Sequence, residues 1–333
     1  MSSTLCFSFA CLLLLGQAAA AELSSSYEWK PMKIGGGGWL VGLSINSAEK
    51  DLLYARADVS GAYRWNPATS AWKQVVTASS MPPEYVGYGK YSGVDSIVSA
   101  PSDANVAYMT MGAEPYAASA GQVFRSTNRG DTWTATQFHK TGVKMEANGE
   151  GRQDGERLAV DPANSNVVYY ASIKEGLWFT DNAGASWTKV AAIPAGKPPH
   201  GVTTVVFDPS SKAARRTQVF YISVIECGVF QTQDAGESWT KISDGAAGDA
   251  GRPRDATIGK DGTCYIVYDG ENGAGGASFA KVGNPRENCW NAILKATPGH
   301  AKDLWFAAGP ARACATPPMV AILGPRPPAS TTS

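Results

Sequence analysis

The run Arg56-Ala57-Asp58-Val59-Ser60-Gly61-Ala62-Tyr63-Arg64-Trp65 sets one carboxylate among small residues and follows it with a glycine and a Tyr-Arg-Trp cluster. Its alternation suggests a strand whose side chains point to opposite faces in turn. A carboxylate beside flat aromatic rings suits acid–base chemistry at a sugar linkage, because the oxygen moves a proton while the rings take apolar sugar faces. A lone Asp is more often a turn cap, so the weight of Asp58 depends on its setting. Aromatic candidates for sugar stacking are Trp39, Tyr63, Tyr85, Tyr88, Tyr91 and Tyr116, and Met81 to Tyr91 reads as a groove-lining loop of Tyr, Gly and Pro. The three histidines, His139, His200 and His300, have no nucleophile or ligand pattern around them and read as surface or turn residues.

Those side chains need a scaffold, and the sequence supplies one by repetition. One unit reads Gly155-Glu156-Arg157-Leu158-Ala159-Val160-Asp161-Pro162, then Val167 to Ala171, Gly176 to Phe179, and Gly184 to Trp187. A second runs from Val205-Val206-Phe207-Asp208-Pro209 to Trp239, an earlier one from Ser96 to Trp133, and the first from Trp39 to Trp72 with Asp58 in its second-to-third strand region. Each unit holds short apolar strands split by Asp-Pro, Asn and Gly turns, a pattern that predicts four-stranded propeller blades. Such a blade can bury its faces only against its neighbours, which accounts for the repetition.

Three units end in Ser126-Thr127-Asn128-Arg129-Gly130-Asp131-Thr132-Trp133, Thr180-Asp181-Asn182-Ala183-Gly184-Ala185-Ser186-Trp187 and Thr232-Gln233-Asp234-Ala235-Gly236-Glu237-Ser238-Trp239. These resemble the Asp-box hairpin, in which Asp or Asn holds the amides of its own turn, Gly takes a left-handed conformation and Trp packs between strands. Their carboxylates are therefore structural. The expectation is an all-β fold: one β-propeller with Asp-box (BNR-like) repeats, with four good units and one or two incomplete ones, marginal for closing a ring. The repeat fades after Asp255–Ile258 and Thr263–Tyr268; 270–283 reads as loop, 292–308 as two further strands, and 310–333 as a disordered Pro/Ser/Thr-rich tail.

The 333 residues carry zero formal net charge and 17% charged side chains, which argues against an electrostatic nucleic-acid binder. Residues 1–21 read as a secretory signal, with an apolar run from Phe7 to Leu15 and small residues at Ala18 to Ala21. That run is too short to span a bilayer, so the mature domain, 22–309, is expected to be secreted, off the membrane and monomeric. Of six cysteines, Cys227, Cys264, Cys289 and Cys314 lie beyond the signal. They allow three disulfide pairings, and their spacing does not match a zinc site. No metal or cofactor is expected.

With these residues set out, the chain resembles glycoside hydrolase family 74, the secreted xyloglucan hydrolases. The matching stretches are Tyr27-Glu28-Trp29-Lys30-Pro31, Ile34-Gly35-Gly36-Gly37-Gly38-Trp39, Leu53 to Trp65, and Gly155 to Pro162, in the family's order. The likeness is good over 27–270 and degenerate over 271–309. It implies two seven-bladed propellers with the substrate groove between them, and inverting hydrolysis of the β-1,4-glucan backbone of plant cell-wall xyloglucan or a related β-glucan. It also implies that Asp58 is the general base contributed by the first propeller, and that a second Asp from the other propeller is the general acid. No stretch resembles that second segment. The resemblance therefore carries two expectations: a xyloglucan-specific hydrolase with Asp58 as base, or a truncated, inactive propeller that binds glucan. A sialidase-like propeller, suggested by the Asp-boxes alone, lacks a convincing set of arginines for a substrate carboxylate.

Overall fold

The chain divides into two compact units, Met1–Ile34 and Gly35–Ser333. The computed structural model describes residues 34, 38–59, 61–86, 93–112, 121–243, 252–259 and 262–269, and the strand backbones 279–281, 293–296, 304–307 and 320–323.

The second unit is a succession of antiparallel sheets. The first holds β1 (Leu40–Ile45), β2 (Leu53–Ala57), β3 (Ala62–Asn66) and β4 (Ala71–Gln74); the second holds β5 (Gly93–Ala100), β6 (Asp103–Gly112), β7 (Gln122–Ser126) and β8 (Thr134–Ala135). The third holds β9 (Leu158–Val160), β10 (Val168–Ala171), β11 (Leu177–Thr180) and β12 (Thr188–Lys189); the fourth holds β13 (Val202–Phe207), β14 (Phe220–Val224), β15 (Gly228–Thr232) and β16 (Thr240–Lys241). In all four, strands pair in chain order. The fifth sheet departs from that rule. It orders β17 (Arg252–Ile258), β18 (Cys264–Asp269), β22 (Val320–Leu323) and β19 (Phe279–Lys281), and β20 (Ile293–Ala296) pairs with β21 (Leu304–Ala307) in a sheet of two.

The fifth sheet corrects two expectations. The segment read as loop over 270–283 includes β19, and the tail read as disordered from 310 includes β22, which pairs with both β18 and β19. Val-Ala-Ile-Leu is an apolar, strand-favouring run without a proline of its own, and the flanking prolines hid it.

The core lies between successive sheets rather than inside any one of them. Tyr54 and Leu52 meet Ile97, Met109 and Phe124 between the first and second sheets. Tyr108 and Val123 meet Leu158, Val168 and Tyr170 between the second and third. Tyr169 and Leu177 meet Phe207, Phe220 and Ile222 between the third and fourth, and Tyr221 and Val229 meet Ala256 and Ile266 between the fourth and fifth. This explains why β10 is apolar throughout and β14 is apolar apart from Ser223: both faces of a second strand are covered by neighbouring sheets. First strands stack in turn, β1 on β5, β5 on β9, β9 on β13, β13 on β17 and β17 on β20.

The hairpins between third and fourth strands repeat one hydrogen-bond pattern. Ser126, Thr180 and Thr232 accept through Oγ from the amides of Gly130, Gly184 and Gly236, at 2.8, 3.0 and 2.8 Å. Oδ1 of Asn128, Asn182 and Asp234 each accepts from an amide four residues on, at 2.9 Å. The three glycines sit at φ +83, +86 and +93°, and the residues before them, Arg129, Ala183 and Ala235, are also left-handed. That conformation costs a non-glycine residue about 1–2 kcal/mol. It turns each amide onto a carbonyl near the start of the second strand, at Asn105, Asn166 and Gln218, which offsets the strain.

Candidate active site around Asp58

The stretch from Arg56 to Trp65 is a hairpin rather than one strand. β2 ends at Ala57, the chain turns at Gly61 with φ +83°, and β3 begins at Ala62. Asp58 therefore lies just past β2, at the end of the sheet where Trp39 enters β1. The two residues continue the ladder: the Asp58 amide donates to Trp39 O at 3.1 Å, and the Trp39 amide donates to Asp58 Oδ1 at 3.0 Å. Asp58 is buried apart from a thin edge, with 7% exposure, whereas Trp39 leaves 41% of its surface open.

A third residue joins them from the turn before β9. Arg152 Nε lies 3.5 Å from Asp58 Oδ2, too long for a good hydrogen bond and close enough for an ion pair. The same guanidinium lies over the Trp39 ring, 4.6 Å from its centroid, and its Nη1 donates to Gly149 O at 2.8 Å. The carboxylate thus keeps one oxygen on a backbone amide and the other beside a cation, next to an open aromatic face.

Behind this edge the charges are buried. Arg56 points inward from β2. It donates to Glu156 Oε1 at 3.2 Å, to Arg152 O at 3.1 Å and to Gly155 O at 2.9 Å. Glu156 in turn accepts from Ser96 Oγ at 2.7 Å. Gly42 on β1 makes room for the pair, since a Cβ there would lie 2.4 Å from both Arg56 Nε and Glu156 Oε1. Two separate motif stretches of the sequence, one around Arg56 and one around Glu156, are joined at this bond.

Deeper still, Asp154 accepts from His200 Nδ1 at 2.6 Å and from Arg254, with Arg157 at 3.6 Å. Burial pushes its carboxyl up, yet the His200 hydrogen bond and the Arg254 and Arg157 charges prevail and hold it below the ordinary carboxylate value. Asp95 ends on the opposite side of that balance. Tyr170 donates to its Oδ2 at 3.1 Å, but Arg157 Nε stays 3.7 Å from Oδ1, and both of those atoms lack a hydrogen-bond partner. Burial prevails there over Arg157 and Arg56 and raises the carboxyl. β-Bulges contribute to the inward aim: the register of β1, β5, β13 and β17 each skips a residue near the strand start, and two of the skipped residues are Asp95 and Arg254.

Of the residues singled out from sequence, Asp58 and Trp39 come together. Tyr63 is not available for stacking: it is 6% exposed on β3, its ring taken up by packing. Tyr85 also packs inward, edge-on to Phe124 at 4.9 Å, and its hydroxyl accepts from Gln122 at 3.0 Å. Tyr88, Tyr91 and Tyr116 lie outside the described residues. His200 is not a surface residue but the buried partner of Asp154, and His300 lies outside the described residues. Sequence reasoning missed Arg152; the one available signal was a lone arginine shortly before the Gly155–Pro162 stretch.

The chain is similar over most of its length to known xyloglucanases. A xyloglucanase of Paenibacillus sp. is 33% identical over 91% of this chain and 30% of its own length. Xyloglucanase Xgh74A of Acetivibrio thermocellus is 34% identical over 77% of this chain and 32% of its own length. Among solved structures, the GH74 enzyme of Niastella koreensis superposes with a TM-score of 0.63 at 31% identity, covering 74% of this chain and 36% of that one. The chain is a glycoside hydrolase family 74 xyloglucanase-like protein. It spans about a third of the length of the curated relatives it matches. The GH74 xyloglucanase of Xanthomonas campestris superposes on the family 74-like chain with a TM-score of 0.67 at 28% identity, covering 87% of this chain and 45% of that one. The Sortilin-Vps10 family model, described as sortilin, neurotensin receptor 3, matches residues 121–249, the stretch from β7 to β16. Among the described residues no helix is long and apolar enough to cross a membrane, and no cluster of His, Cys, Asp and Glu could hold a metal ion.

Proposed function

We propose that this chain supplies the Asp58 side of a xyloglucan-hydrolysing site, with Asp58 as the general base of an inverting cleavage of the β-1,4-glucan backbone. The observation that carries the reading is the pairing of Asp58 with Trp39: a carboxylate fixed at one oxygen by a backbone amide, beside an aromatic face open to solvent. Inversion needs a second carboxyl about 6.5–9.5 Å away to protonate the leaving oxygen while the base activates water. Three acids behind it among the described residues are already engaged. Glu156 is held by Arg56 and Ser96, Asp95 lies in the interior with Tyr170, and Asp154 is surrounded by three cationic or protonatable side chains. The acid is thus assigned to a second propeller, as in the family, and the 333-residue chain by itself is proposed to bind glucan with little turnover.

The test is reducing-sugar release from xyloglucan by the 333-residue chain beside Asp58→Ala, with affinity for a xyloglucan heptasaccharide measured in parallel. A missing general acid costs about 10²–10⁴ in rate, so measurable affinity with near-background release is expected. Brisk release abolished in Asp58→Ala would keep Asp58 as base and place the acid within this chain. Brisk release untouched by the substitution would remove Asp58 from the reaction. We also propose secretion after removal of residues 1–21, and action as a monomer. Amino-terminal sequencing and sizing of the exported protein test both.

A further inference from the structure

We propose that Arg152 is the positioning residue of this site, holding the base and the sugar platform as one unit. The proposal rests on the reading of Asp58 and Trp39 as glucan-site residues. Trp39 alone would be poorly fixed: its ring lies just before β1, and two-fifths of it faces solvent. Arg152 supplies the missing constraint. One guanidinium pairs with Asp58 Oδ2 at 3.5 Å and covers the Trp39 ring at 4.6 Å, while Trp39's own amide holds Asp58 Oδ1 at 3.0 Å. The three residues close a triangle of contacts.

Arg152 is itself anchored at both ends. Its Nη1 donates to Gly149 O at 2.8 Å, and its main-chain oxygen accepts from the buried Arg56 at 3.1 Å. A guanidinium is suited to this double task, since its plane stacks on an aromatic face while its edge meets a carboxylate; an ammonium can do the second and only poorly the first. With Arg152 over its ring, Trp39 still leaves 41% of its surface exposed for a sugar to meet.

The test joins a spectrum without ligand to a binding cycle. In ¹⁵N spectra of the full chain, the Arg152 Nε–H signal, identified by its loss in Arg152→Met, should lie upfield under the Trp39 ring current and return to the ordinary arginine position in Trp39→Ala. The indole signal of Trp133, whose Nε1 donates to Val75 O at 2.9 Å, reports that each variant is folded. Arg152→Met should weaken binding of a xyloglucan heptasaccharide by about three- to tenfold, Arg152→Lys should recover part of it, and Arg152→Met should cost nothing further in a Trp39→Ala background. Unchanged affinity in a folded Arg152→Met, with Trp39→Ala weakened, would overturn the role of Arg152 and leave the glucan reading standing. Unchanged affinity in Trp39→Ala, or no binding by the parent chain, would overturn both. An unshifted Arg152 signal would dismiss the stacking on its own.

Discussion

The Asn and Asp side chains at the hairpin tips and the carboxylates around the first strands are satisfied in opposite ways. At the tips, Asn128, Asn182 and Asp234 bond to groups two to four residues away. Near the first strands, Asp154 reaches His200 and Arg254, Glu156 reaches Arg56 and Ser96, and Asp95 reaches Tyr170, over separations of 46 to 100 residues. The tips are turns whose Asx side chains bond locally, repeated on the second, third and fourth sheets. The inner charges are stitches between sheets, and they exist only once the sheets have assembled. Asp58 belongs to the second group but sits at its surface, where its Arg152 partner is a quarter exposed.

The largest expected effect tests whether the inner stitches hold the sheets. Asp154→Ala leaves Arg157 and Arg254 buried without their shared carboxylate. Breaking one side of a buried pair typically costs about 3–5 kcal/mol. Asn182→Ala removes neutral hydrogen bonds at an exposed turn, for which about 1 kcal/mol is ordinary. Urea unfolding of the two variants should separate them clearly. Equal losses would mean that the contrast between inner and outer groups has no energetic content.

A second experiment divides the inner group itself. Asp154 is held below the ordinary carboxylate value of about 3.9. Its stabilising contribution is therefore complete above that pH and disappears as pH falls through its lower folded value. Asp95 is raised, so its contribution is complete below about pH 3.9 and is lost as pH rises through the higher folded value. Asparagine cannot lose that proton. Relative to the parent chain, Asp95→Asn should gain stability as pH rises across this window, and Asp154→Asn should lose it. Denaturant midpoints measured from pH 2 to 7 give the Asp154 slope below about pH 3.9 and the Asp95 slope above it, and slopes of the same sign would refute the assignment of burial as the winning influence at Asp95.

This contrast also explains what could be read from the sequence. The hairpin tips were legible because their chemistry is local: an Asx, a glycine and a tryptophan at fixed offsets specify one turn. The first four sheets were legible from the strand periodicity between those tips. Asp58 and Trp39 were singled out through motif stretches, and they lie together. The partners that fix them were not, since nothing in a one-dimensional pattern relates Arg152 to Asp58, or Arg56 to Glu156 a hundred residues away. Tyr63 and Tyr85 failed as stacking candidates for a related reason: whether a tyrosine in a strand or turn faces a groove or a neighbouring sheet depends on how sheets pack. The fifth sheet was obscured by topology, because β22 returns from beyond the prolines to lie between β18 and β19.

The smallest effect lies at the tips and concerns the one hairpin whose Asx side chain can titrate. Asp234 accepts from Ser238 through both oxygens, at 2.9 Å from the amide and 2.5 Å from the hydroxyl, and Thr232 Oγ1 donates to it at 2.8 Å. Those Ser238 bonds, with the one from Thr232, hold its carboxyl down to about 2. The turn's preference for the ionised form is thus complete above about pH 3.9 and fades as pH falls toward 2. Asn128 and Asn182 make the corresponding amide bonds with nothing to protonate. Amide exchange at Gly236 and Ser238 should accelerate, relative to Gly130 and Thr132, as pH drops from 4 to 2, and Asp234→Asn should abolish the difference. Because the side chain is almost fully exposed, solvent screening keeps the effect on global stability small, so local exchange is the sensitive measurement. If all three hairpins loosen together in acid, the tips are coupled through the inner network after all, and the separation between local turns and distant stitches would not hold at low pH.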